Sequence, residues 1–141
     1  MARLAVLIAS ALLAASAWAA DLTVSGAWIR HLPAGVPAGG FFTVHNLGSK
    51  ATALVGASSP DYGMVMLHET VEEGGVAKMV AVDKIVLPAG GKVTFRPGGY
   101  HLMLMHAKHE IAVGSKVPVT LEFSGGQTVT AIFEVRGPTA R

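Results

Sequence analysis

Two short stretches of this chain hold most of its soft donor atoms. Met64, Met66 and His68 occupy alternate positions, and so do His101, Met103 and Met105. The chain has six histidines, six methionines and no cysteine; Met1 opens an apolar leader, and the fifth remaining methionine is Met79. Thioether sulfur is soft and suits Cu(I), while imidazole serves copper in either oxidation state. Two Met and two His would therefore favour Cu(I), tolerate Cu(II), and leave the charge of the site equal to that of the ion. Calcium or magnesium would ask for oxygen ligands, and no Asp/Glu-rich loop offers them. A methionine in a strand also serves as core filler, and a lone histidine is usually a hydrogen-bonded surface residue. One residue at a time, both readings stay open. The coincidence of Met-x-Met-x-His on one segment with His-x-Met-x-Met on another points to a soft-metal site.

Such a site needs strands to carry it. Side chains two apart in a strand share a face, so Met64, Met66 and His68 face one way. His101, Met103 and Met105 likewise share a face, with Leu102 and Leu104 on the opposite one. If the leucines point to the core, the His-Met face lies at or near the surface. Glu72-Glu73-Gly74-Gly75 reads as a hairpin turn; with its centre near 73–74, Met79 comes opposite the Leu67–His68 region. Bringing His101 alongside requires a tertiary contact that local spacing does not supply.

The rest of the chain reads the same way. Further strands are expected at Leu22–Arg30, Phe41–His45, Ala51–Ala57, Val76–Val82, Lys92–Arg96, Val117–Phe123 and Thr128–Val135, with most of the 17 glycines and 7 prolines between strands. Short strands with turn signals about every ten residues indicate an all-β, antiparallel sandwich or barrel in a single domain. Leu22, Val24 and Trp28 are expected on one face of the first strand, with Trp28 as a core aromatic.

The amino end reads differently. Met1 to Arg3 carries one positive charge, Leu4 to Ala15 is apolar but for Ser10, and Ala17-Trp18-Ala19 is a small-x-small site. This is the pattern of a secretory signal peptide, cut after Ala19 or Ala20, which leaves residues 20–141 as the domain. The apolar run falls short of the roughly 20 residues a spanning helix needs. Without Arg3 there are ten basic residues against nine acidic ones and no basic stripe, so nothing points to nucleic acid or an anionic membrane surface. The absence of cysteine excludes a thiolate nucleophile, a cysteine zinc site, an iron–sulfur cluster and a blue-copper centre.

The spacing His68, ten residues, Met79, twenty-one residues, His101-x-Met103 resembles the metal signature of the PCu(A)C-type periplasmic copper chaperones. The flanking residues resemble that family too: Ala27-Trp28-Ile29-Arg30, Phe41 to Asn46, Ser58-Ser59-Pro60, Leu67-His68-Glu69-Thr70, and Pro97 through Met105. The resemblance implies a cupredoxin-like fold and one solvent-accessible Cu(I) held by His68, Met79, His101 and Met103, with Cu(II) the weaker case. It implies a periplasmic monomer that is not an enzyme and that donates copper to cytochrome c oxidase subunits or other copper assembly factors. The His/Met-rich carboxyl-terminal extension of some relatives is missing, which puts a second, Cu(II)-binding tail site in doubt.

Other candidates carry less. His106 and His109 lie three apart and could help a Cu(II) or zinc ion, but their surroundings read as an exposed turn. His31 and His45 read as structural or surface residues. Arg30, Asp61 and Glu69 form no evident acid/base pair, and Pro97-Gly98-Gly99 lacks the Lys-Ser/Thr of a phosphate loop. Two further readings remain open on the residues alone: a small copper oxidoreductase, and a metal-free β-sandwich that binds a protein.

Overall fold

The computed structural model describes residues 21–33 and 35–141; the leader and its cleavage site lie outside the described residues. Ten strands appear in chain order: β1 (Leu22–Arg30), β2 (Ala38–Asn46), β3 (Thr52–Ser59), β4 (Tyr62–Glu73), β5 (Val76–Ala81), β6 (Ile85–Leu87), β7 (Lys92–Phe95), β8 (Tyr100–Ala107), β9 (Lys116–Phe123) and β10 (Thr128–Arg136). A 3-10 turn, Ser124–Gly126, joins the last two.

Pairing runs β4-β8-β2-β1-β10-β9-β3, and a short β3–β4 ladder closes the ring. Closure leaves those seven strands without a free edge. β5 extends the wall beyond β4, β6 lies beside β3, and β7 takes the half of β2 that β8 leaves. All pairs are antiparallel except β1 with β10. The all-β expectation holds, in its barrel form.

The barrel is filled from every strand of the ring. Ile29, Phe42, Val44, Leu54, Leu67, Leu102, Leu104, Val119, Leu121, Phe123 and Phe133 are fully or almost fully buried. Each such side chain contributes about 1.5–3 kcal/mol relative to exposure. Phe42 anchors the centre, stacked on Phe95 at 4.3 Å and edge-on to Phe133 at 5.7 Å between ring centroids.

Two expectations need correction. β6 was not anticipated, because three residues are too few to show a period. Trp28 does not share the core face with Leu22 and Val24. Leu22 pairs with Asn46 and Val24 with Val44, but the register slips by one before Trp28 pairs with Phe41. Gly26, with φ of 60°, supplies the left-handed residue such a bulge favours. The slip turns Ile29 into the barrel interior and leaves Trp28 buried on the opposite face, against Phe41 at 4.7 Å and under the guanidinium groups of Arg30 and Arg136.

Candidate metal centre

β4 and β8 are neighbours, and their register decides what the two soft segments do together. His68 pairs with His101, Met66 with Met103, and Met64 with Met105. Between them Leu67 pairs with Leu102 and Val65 with Leu104, facing the barrel interior. The tertiary contact that local spacing could not supply is thus a direct cross-strand pair. The His-Met face lies on the outside of the barrel wall.

Met79 arrives from the other side of β4. The two-residue turn at Gly74-Gly75, both at positive φ, pairs Glu73 with Val76 and hence Thr70 with Met79. Met79 therefore sits one rung beyond the expected position, and Ala81 is the residue opposite His68. The shift of two residues preserves parity, so Met79 stays on the face of Thr70 and His68.

The imidazoles lie 5.7 Å apart between ring centroids, inclined at 61°. His101 is buried although it points out of the barrel, and His68 is half-buried. Both ring nitrogens of His68 and Nε2 of His101 are buried with no hydrogen-bond partner. Buried polar atoms are paired in the great majority of cases, so three orphan nitrogens at one spot call for a ligand. Nδ1 of His101 lies 3.4 Å from the Gly99 carbonyl. A carbonyl only accepts, so this contact requires the proton on Nδ1 and leaves the lone pair on Nε2. Burial, with His68 nearby as a lesser cause, pushes the His101 pKa below its ordinary value. The neutral form is the one a metal needs.

A cavity of about 120 Å³ opens over His101, Met103 and Met79, bounded by Phe41, Thr70 and Pro97. Exposure is graded across it: His101 is 6% exposed and Met79 62%. Gly39 pairs with Met103 on the same face. A Cβ on Gly39 would meet the Phe41 ring at 3.1 Å, so the missing side chain is what leaves room there.

The remaining histidines lie apart from this centre. His45 contacts the Gly90 carbonyl at 3.2 Å. His109 meets the Asp61 carboxylate at 2.6 Å, which raises its pKa. Among the described residues no three His, Asp or Glu side chains converge as a further metal group. Local spacing does not report the Asp61–His109 pair, because the two residues lie 48 positions apart.

Residues 22–135 match the family described as "Putative lipoprotein LpqE-like". This chain belongs to the LpqE-like family. Its curated relative "Putative lipoprotein Lxx21020" from Leifsonia xyli subsp. xyli is 39% identical over 80% of this chain and 68% of its own length. The copper-bound PCuAC domain from PmoF2 superposes with a TM-score of 0.69 at 27% identity, over 84% of this chain and 94% of that domain. The CuI-DR1885 solution structure from Deinococcus radiodurans gives 0.64 at 32% identity, over 79% and 75%. The resemblance to PCu(A)C-type proteins holds for the whole barrel, and with it the cupredoxin-like fold.

Proposed function

We propose that this protein is a periplasmic carrier that holds one Cu(I) with His68, Met79, His101 and Met103 and passes it on by ligand exchange. The observation that carries this reading is the set of three orphan imidazole nitrogens beside two thioethers on one outer face. The copper-bound PCuAC domain and the CuI-DR1885 structure among the relatives support it. The recipients in this reading are the copper centres of cytochrome c oxidase, reached directly or through other assembly factors. The lipoprotein name of the curated relative supports an envelope location.

The gradient of exposure gives the exchange an order. Met79, on the edge strand β5, is the donor an incoming ligand can displace first. His101 is the last to release, because it is the most buried of the four residues. Neutral ligands keep the charge of the site that of the ion, so no buried counter-charge has to be separated on transfer.

Competition for Cu(I) against a chromophoric chelator tests the reading. One equivalent binds, and substituting His68 by Ala weakens binding by more than about 100-fold, beyond the usual cost of losing only a supporting contact. Affinity falls as pH drops from about 7.5 to about 5, bracketing the ordinary imidazole value of about 6.5. Because burial lowers the His101 pKa, proton competition at that residue sets in at lower pH than at an ordinary imidazole. Affinity that stays constant across this interval excludes imidazole ligation. Sustained oxygen consumption with a reductant would overturn the carrier reading in favour of an enzyme.

A further inference from the structure

The proposed centre uses Met79 and Met103 and leaves Met64, Met66 and Met105 without a role. These three are not core filler: no methionine belongs to the core cluster among the described residues, and Met64 is 47% exposed. Met66, Met103 and Met105 are half-buried on the outer face, while Leu67, Leu102 and Leu104 occupy the core positions between them. The register makes a two-by-two array, Met66 beside Met103 and Met64 beside Met105, directly below the His68–His101 rung. Cross-strand neighbours have Cβ atoms about 4.5–5.5 Å apart, and successive rungs on one face lie roughly 6.8 Å apart. The long, freely rotating methionine side chain spans such gaps. The row also joins two cavities. Met103 lines the one over the proposed centre, and Met105 lines a larger one of about 650 Å³ with Tyr62, His31 and His106.

We propose that Met64, Met66 and Met105 form a second, weaker position for a soft monovalent cation, an all-thioether holding point through which Cu(I) enters or leaves the main centre. This rests on the carrier reading above. With no imidazole and no charge, the position takes Cu(I) or Ag(I) and rejects Zn(II) and Cu(II). The rung spacing lets one cation move to the next rung with Met103 common to both positions.

The test uses the mature chain with [methyl-13C]methionine, titrated with Ag(I), a redox-inert ion of the same charge and softness. The first equivalent shifts the methyl signals of Met79 and Met103. The second shifts those of Met64, Met66 and Met105, with affinity about tenfold or more weaker for want of imidazole. The combined variant Met64→Leu, Met66→Leu, Met105→Leu conserves volume. It loses the second event and keeps the first within about twofold, a change of under roughly half a kcal/mol. A second equivalent that leaves these three methyl groups unmoved, or that survives in the triple variant, overturns the proposal and leaves the main centre standing. If the first equivalent moves neither Met79 nor Met103, the main centre fails instead; the three methyl groups then still decide this proposal, shifting if it is right and staying fixed if it is wrong.

Discussion

Met103 faces Gly39 across the β8–β2 ladder, so no side chain stands directly opposite it on that strand. Met66 is its cross-strand neighbour on β4 and His101 the next residue on its own face, and the value of the sulfur lies in its softness rather than its bulk. Replacing Met103 by Ile keeps an apolar side chain that suits a strand and removes the sulfur. Cu(I) affinity should then fall by about 100-fold and Cu(II) affinity by less than about tenfold, because imidazole alone serves the oxidised ion. Matched chelator titrations in the two oxidation states measure this, and equal losses would show that the thioether is not a ligand. His101 makes the complementary case. Its Nδ1 leans on the Gly99 carbonyl and its Nε2 is left over, so the protein has fixed which nitrogen is available before any metal arrives.

Strand parity carries this chemistry at the level of elements, and parity is what the sequence displays best. The alternation in 64–68 and 101–105 groups the His and Met residues on one face, opposite Leu102 and Leu104, and in the barrel those leucines point inward. The hairpin put Met79 on the right face even though its register differs by two residues, since an even slip changes no side. What stayed hidden follows from the same rule. The one-residue bulge at Gly26 reverses parity midway along β1, so Ile29 rather than Trp28 faces the barrel interior. The His68–His101 pair joins strands far apart in the chain, and no local period reports such a contact. A parity exchange tests the element directly. β5 is exposed on both faces, so Met79→Val combined with Val80→Met costs the fold little. It moves the thioether to the opposite face with composition unchanged. Cu(I) affinity should drop as far as in Met79→Leu alone; a retained affinity would mean that β5 does not hold its methionine by register.

The whole barrel closes at its thinnest seam beside this site. β3 and β4 share only the pairs Ala57–Val65 and Ser59–Tyr62, with a register shift between them. The turn joining them is pinned from the far end of β8, where the Lys108 N–H donates to the Asp61 carbonyl at 3.0 Å and His109 meets the Asp61 carboxylate at 2.6 Å. That hydrogen bond raises the His109 pKa above its ordinary value. The charged form is therefore favoured by folding, and its contribution is fully present below the unfolded pKa of about 6.5. It is lost as pH rises through the raised folded value. His101 has the opposite sign: its lowered pKa costs stability as pH falls through about 6.5, because the unfolded chain takes up the proton first. The two effects oppose each other in the unsubstituted protein, so its melting temperature alone separates neither. Comparison with His109→Gln isolates the first, since both proteins share His101. The melting temperature of the metal-free protein should exceed that of the variant most between about pH 5 and 6.5, where Asp61 stays ionised. The difference should close as pH rises further and narrow with added salt, because His109 is exposed and its charge is screened. A difference that widens with pH would mean that the barrel seam is not held by a protonated His109.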